Sequence, residues 1–269
     1  MAAASEHNHL NGGDHDHAAR MDGMYRYQRH IYDLTRKYYL FGRDKAIASL
    51  GMADGETLLE VGCGTGRNLL LAHKHHKGAK LFGLDISAEM LESARRNFRN
   101  KAEQPVLKVA NATTFSAQDF GTDGFDRILI SYALSMIPDW EGAIDAALKA
   151  VKPGGSLHIV DFGQQERLPA WFRAALQAWL IRFHVTPRAS LHEALEKRLA
   201  DANADMMFEE IGGGYAWHAI IRKRAWHCQP DTANLTQLSS VAAFARLQFS
   251  GLCAKPDSAR PARMDGQEI

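Results

Sequence analysis

The chain has 269 residues, 46% of them hydrophobic, and its 32 Lys and Arg against 31 Asp and Glu leave a formal charge of +1. That length supports one large domain with a substantial core. A balance so close to zero excludes a protein that grips nucleic acid or another polyanion through bulk charge. The three cysteines, Cys63, Cys228 and Cys253, are widely spaced with no C-x-x-C pair, so neither a disulfide framework nor a metal site is expected. They predict a reducing, cytoplasmic setting. No run reaches the roughly 18 apolar residues of a bilayer-crossing segment, and the first residues carry no apolar signal core. The expectation is a soluble protein, at most peripheral on the cytoplasmic face of a membrane.

Residues 1–20 are small and polar, with His7, His9, His15 and His17 among Asn, Gly and Asp. Such a composition cannot bury enough apolar surface to offset its ordering entropy and predicts a disordered tail. Residues 25–50 read as a helical entry segment, because Tyr25, Tyr32 and Tyr39 recur every seven residues and share one stripe. After a turn at Asp54-Gly55, TLLEV (57–61) lacks polar alternation until Glu60, as in a strand buried on both faces of a parallel sheet. A glycine loop and a helix over 67–77 follow.

The same grammar then repeats. Strands are predicted at 80–85, 106–110 and 125–130, and helices at 87–98, with Ser87 as N-cap, and at 139–151. KPGG (152–155) reads as a helix stop and turn before a buried strand at 156–162. Strands alternating with helices make an α/β fold around a parallel sheet. The segment 168–185 reads as an amphipathic helix, with Trp171, Phe172, Leu176, Trp179, Leu180 and Phe183 on a wide apolar side and Arg173, Gln177 and Arg182 opposite. A helix from Ser190 to about Ala200 and the segment 204–211 precede GGG (212–214) and a closing hairpin strand at 215–223. The domain is expected to span 24–224, leaving 225–269 as a mostly disordered tail with at most a short helix at 235–247.

The most specific signal is LLEVGCGTG (58–66), a strand ending in Glu60 with Gly62, Gly64 and Gly66 ahead of a helix. Glycines there let the backbone turn sharply out of the strand and let a ligand approach the main chain. A dinucleotide fold wants its third glycine at position 67, which is Arg67, so a nucleoside without a pyrophosphate is the better ligand. Nineteen positions after Gly66, Asp85 ends the second strand, where an acidic side chain accepts from both ribose hydroxyls.

Together these residues resemble class I S-adenosylmethionine-dependent methyltransferases, whose first motif ends strand one as E-x-G-x-G-x-G. The resemblance implies a Rossmann-like seven-stranded sheet, mostly parallel, with an antiparallel last strand. It implies S-adenosylmethionine as cofactor, on a loop of Gly62, Cys63, Gly64 and Gly66 supported by Glu60. Asp85 would bind ribose with Ile86 beside the adenine. Asn111, next to Ala112, would accept from the adenine amine in a place where many members carry Asp. Ser131 would meet the cofactor amino group, and IYD (31–33) resembles an entry-helix motif whose tyrosine, here Tyr32, touches the cofactor.

Residues 24–47, 131–140 and 183–191 resemble bacterial diacylglyceryl-homoserine N-methyltransferases of betaine-lipid synthesis. That resemblance implies a lipid substrate presented at a membrane surface, with three methyl groups added to its amine. Tyr25, Tyr27, His30, Tyr132 and His184 are candidate positioning or proton-relay residues. A quaternary ammonium product suits an aromatic wall of Tyr25, Tyr27, Tyr38, Tyr39 and Trp140, although the same tyrosine stripe equally packs the entry helix. Arg188 is the candidate partner for the homoserine carboxylate. The 168–185 helix either lies in the headgroup plane or acts as a lid packed on the domain. The competing readings are a phosphatidylethanolamine or small-molecule amine N-methyltransferase and a non-catalytic cofactor-binding subunit.

Overall fold

A computed structural model describes residues 40–225. Both expected tails (except Ala225), and with them Tyr25, Tyr27, His30, Tyr32, Tyr38 and Tyr39, lie outside the described residues.

Seven strands form one sheet: β1 (Thr57–Val61), β2 (Lys80–Asp85), β3 (Val106–Val109), β4 (Phe125–Ser131), β5 (Val151–Phe162), β6 (Ala204–Ile211) and β7 (Ala216–Lys223). Their order is β3-β2-β1-β4-β5-β7-β6. The first five run parallel, and β7 is antiparallel to both β5 and β6. The expected sheet with its antiparallel closing strand is therefore present. The glycines at 212–214 turn β6 back as β7, so the last two strands form a hairpin.

Helices cover both faces. Alternating strand positions divide the core into two layers, because successive side chains of a strand point to opposite faces. Leu59, Val61, Ile128 and Ile130 pack under α4 (Trp140–Ala150) and α6 (Leu191–Ala202). Leu58, Leu129 and Val160 pack under α1 (Arg43–Ala48), α2 (Arg67–His75), α3 (Ala88–Phe98) and α5 (Ala170–Arg182). All five residues of β1 are buried, each large apolar one contributing about 1.5–3 kcal/mol, so this strand anchors both layers. Ser87 caps α3, its hydroxyl accepting from Met90 N at 3.3 Å.

Three expectations need correction. The entry helix is not continuous: Leu40 to Gly42 are non-helical and only Arg43–Ala48 is helix within the described part. Gly42 is the N-cap of that helix with φ of 79°, and a Cβ there would lie 2.5 Å from Ile211 Cδ1. KPGG is not a free turn, because β5 starts at Val151 and the four residues bulge between the pairs Phe125–Val151 and Arg127–Ser156. The helix expected over 168–185 is shorter, Ala170–Arg182, and its apolar residues divide between a packed and an exposed side. Leu176 and Leu180 are buried, whereas Trp171 is 75% and Ile181 74% exposed.

Two polar groups sit in the second layer. Lys45 donates to Glu209 at 2.6 Å, and Glu209 pairs with His218 Nδ1 at 2.7 Å. Buried His158 pairs with Ser49 Oγ at 3.2 Å and Ser156 Oγ at 2.9 Å. Burial and the neighbouring His218 hold His158 down to a pKa of about 3, so it is neutral.

Candidate cofactor site

In this sheet order the connections leave β1 and β4 toward opposite sides, and a crevice opens between their carboxyl ends. The glycine loop follows β1, and residues 132–137 follow β4 into the same crevice. The backbone dictates the glycine at 62, which has φ of 70° and where a Cβ would stand 2.8 Å from Ala133 Cβ. Cys63 N donates to Leu84 O and Gly66 N to Cys63 O, both at 2.9 Å, which closes the loop into a turn ahead of α2.

A cavity of about 320 Å³ lies against this loop, lined among others by Arg43, Glu60, Gly62, Cys63, Asn68 and Ser131. The volume falls at the lower end of the roughly 300–1,000 Å³ of small-molecule sites. Glu60 is buried and its Oε1 accepts from Asn68 Nδ2 at 2.6 Å, so the carboxylate at the end of β1 is tied to the first turn of α2. Asn97 of α3 donates to Thr65 O at 3.0 Å and fixes the loop from the other side.

Asp85 stands at the end of β2 beside the loop. Its Oδ2 accepts from Gly64 N at 2.8 Å and its Oδ1 from Ser87 N at 2.9 Å. A carboxylate offers about four acceptor positions, so these bonds orient the group toward the loop backbone. Ile86 follows it. Asn111 lies two residues beyond Val109, which pairs with Asp85 across the sheet, and Ala112 follows, so both sit at the adjacent strand end. The amide oxygen of Asn111 is not presented to a ligand as expected. It accepts from Thr113 N at 2.9 Å and Thr113 Oγ1 at 3.0 Å, the local turn that a short amide side chain favours.

S-adenosylmethionine fits this donor set. Ser131 Oγ, buried and lining the cavity, has no hydrogen-bond partner among the described residues, as expected of a group reserved for a ligand. Arg43 is 6% exposed and lines the same cavity, its Nε and Nη2 each 3.2 Å from Asp44 Oδ1. Its guanidinium would hold the methionine carboxylate, Asp85 the ribose and Ser131 the amino group. Sequence reasoning missed Arg43, Asn68 and Asn97. A signal for Asn68 was present, since it follows Glu60 by eight residues in the first turn of the next helix.

The proposed reacting groups fare differently. Tyr132 has φ of 54°, is buried, and donates its hydroxyl to Phe41 O at 2.5 Å. Burial, with Tyr215 and Asp161 nearby, pushes its pKa well above the usual phenol value. It packs edge-on against Phe162 at 4.7 Å, and its hydroxyl is engaged with the Phe41 carbonyl, so in this structure it braces the loop. His184 is exposed on the turn that ends α5 and does not line the cavity. Trp140 opens α4, half-buried, with the Arg188 guanidinium 5.9 Å from its ring centre. Arg188 Nε donates to Leu134 O at 3.0 Å and Nη2 to Ile137 O at 2.7 Å. Buried Asp161, its acidity weakened by desolvation, accepts from Ser135 N at 3.1 Å and Phe162 N at 2.8 Å and holds the same loop from below.

Comparison with known proteins gives the family. The family model described as methyltransferase domain matches residues 53–220. Demethylmenaquinone methyltransferase from Tropheryma whipplei is 29% identical over 161 residues, covering 58% of this chain and 64% of that protein, short of two thirds of its length. Phosphatidylethanolamine N-methyltransferase from Cereibacter sphaeroides is 28% identical over 156 residues, covering 58% of this chain and 73% of that protein. Among solved structures, the plantazolicin methyltransferase bound to a substrate analogue and S-adenosylhomocysteine superimposes with a TM-score of 0.58 at 16% identity. It covers 74% of this chain and 90% of that one. With the glycine loop at the switch point, a ligand-ready serine opposite it and a family match over most of the described residues, the chain belongs to the methyltransferase-domain family, with S-adenosylmethionine as its methyl donor.

Proposed function

We propose that the protein N-methylates the amine of diacylglyceryl-homoserine, adding three methyl groups to form the betaine lipid diacylglyceryl-N,N,N-trimethylhomoserine. The observation that carries this reading is Arg188. Two carbonyl oxygens of the 132–137 loop and the face of Trp140 fix its guanidinium, while no described residue takes Nη1. A guanidinium held in this way on the loop after β4 suits an acceptor that carries an anionic group beside its amine. The Cereibacter phosphatidylethanolamine N-methyltransferase supports an amine acceptor in general.

When bound, S-adenosylmethionine supplies an electrophilic methyl group on a sulfonium. The protein's share is orientation: the amine nitrogen must come within about 3–3.5 Å of that methyl carbon, in line with the bond that breaks. Arg188 would hold the acceptor by its carboxylate, and the 132–137 loop, braced by Tyr132 and Asp161, keeps that anchor rigid. An α-amino group with a pKa of about 8 is partly neutral at physiological pH, so the nucleophile is available without a dedicated base.

Phosphatidylethanolamine is the second reading, favoured by the same relative. Its phosphate would take Nη1 in place of the carboxylate. The deciding experiment incubates the protein with S-adenosylmethionine and each lipid in detergent and follows the lipids by mass spectrometry. Mono-, di- and trimethylated homoserine lipid is expected, with Arg188→Gln raising KM for that lipid at least tenfold while S-adenosylmethionine affinity stays unchanged. Methylation of phosphatidylethanolamine alone would overturn the acceptor in favour of the second reading.

A further inference from the structure

We propose that the outer face of α5 docks the enzyme on an anionic bilayer surface. This inference concerns where the enzyme works, and it stands whichever lipid amine is methylated.

The helix has two apolar sides. At 100° per residue, Leu176 and Leu180 lie on the side packed into the core, while Trp171, Ala174, Ala175 and Ala178 form a stripe opposite, with Ile181 on its flank. All five of these outer residues are exposed, Trp171 to 75% and Ile181 to 74%. A helix that only served as a lid would need apolar residues on its packed side alone. Single exposed apolar residues are ordinary, but a stripe led by a tryptophan on an otherwise docked helix marks a surface for something apolar.

Charge selects the occupant. From Arg167 to His192 the sequence contains Arg167, Arg173, Arg182 and Arg188 and not one Asp or Glu, in a chain whose overall charge is only +1. Arg167 pairs with Glu210 and Arg188 with backbone carbonyls, whereas Arg173 and Arg182 have no ion-pair partner among the described residues. At the same spacing Arg182 falls within the outer stripe beside Trp171, where a guanidinium complements anionic headgroups and tryptophan settles at the headgroup boundary, whereas Arg173 falls on the side of Leu176 and Leu180. A second copy of this chain would bring its own arginines into the same contact, which argues against a symmetric dimer through this face.

The position also suits the purpose. Past the end of α5, Thr186 N donates to Ser135 O at 2.9 Å, tying the helix to the loop after β4 that borders the crevice. A bilayer touching α5 would therefore lie next to the acceptor loop, and a lipid amine would have a short way to travel.

The test uses the full chain in vesicle flotation, comparing phosphatidylcholine alone with phosphatidylcholine containing 30 mol % phosphatidylglycerol (about the anionic content needed for a strong surface potential). We expect at least tenfold more protein with the anionic vesicles, reduced to the phosphatidylcholine level by Trp171→Glu with Ile181→Glu, and lowered at least threefold by Arg182→Gln. Both variants should keep wild-type S-adenosylmethionine affinity, which separates a surface effect from misfolding. A wild-type protein that stays with the soluble fraction in both mixtures overturns the proposal. Flotation of the Glu variant at the wild-type level overturns it too, by assigning the contact elsewhere. A wild-type dimer in analytical ultracentrifugation that the Glu variant converts to monomer would reassign the stripe to self-association.

Discussion

The two halves of the crevice are built by different means. On the side of β1 and β2 the main chain makes the site: glycine at 62, an aspartate clamped by two backbone N–H groups, and a turn closed by Cys63 and Gly66. On the side of β4 and α5 long side chains make it, with Tyr132, Asp161 and Arg188 reaching across the fold to hold one loop. Backbone-built sites tolerate few residue types, whereas a braced loop can be held in many ways, so one cofactor serves a fold that accepts many substrates.

The sharpest way to break this contrast is Gly62→Val. A β-branched side chain would need φ of 70° and would meet Ala133, so cofactor affinity should fall beyond 100-fold and thermal stability with it. Calorimetric titration showing affinity within threefold of wild type would mean that the loop has another route out of β1.

Asp85→Ala comes next. It removes the proposed ribose contact and leaves Gly64 N without its acceptor, a loss of about 1–3 kcal/mol that reads as a 5- to 150-fold weaker cofactor. Unchanged affinity would remove Asp85 from the site.

An effect that is absent at neutral pH and grows only on acidification tests the buried histidine outside the crevice. His158 titrates near 3 when folded and near 6.5 when exposed, so between those values the unfolded chain binds the extra proton. Stability is then insensitive to this group above pH 7 and declines as pH drops from 6.5 toward 3, with a slope approaching about 1.4 kcal/mol per pH unit. Urea melts of wild type and His158→Gln should differ in slope over that window, and parallel curves would contradict the assignment.

The smallest change belongs to Tyr132→Phe. If the hydroxyl only braces Phe41 O, the variant should lose about 1 kcal/mol of stability and keep kcat within threefold. A 100-fold fall in kcat at unchanged stability would restore Tyr132 as a reacting group.

The same contrast explains what could be read from the sequence. β1, β2, the Ser87 cap and the glycine loop were legible because their signals are local: a buried run, an N-cap, glycines at alternate positions. Arg188 was not legible as a loop clamp, because its partners are carbonyl oxygens 51 and 54 residues away and carbonyls leave no mark in a sequence. Asn111 looked like a ligand residue until its oxygen was found on Thr113, two positions on, a competition that only geometry resolves. For α5, hydrophobicity told how apolar the helix is but not which of its apolar residues the core would take, so a headgroup contact and a lid both stayed open until Trp171 was seen exposed.

Cys63 has a chemical consequence of its own. A sulfonium methyl group reacts with any good nucleophile, and a thiolate on the loop that cradles it would be the fastest one in reach. Burial, and the carboxylates of Asp85 and Glu60, push the Cys63 thiol well above its ordinary pKa, so it stays protonated and weakly nucleophilic. Burial above all, reinforced by the carboxylates that shape the site, would thus keep this thiol from consuming the methyl donor.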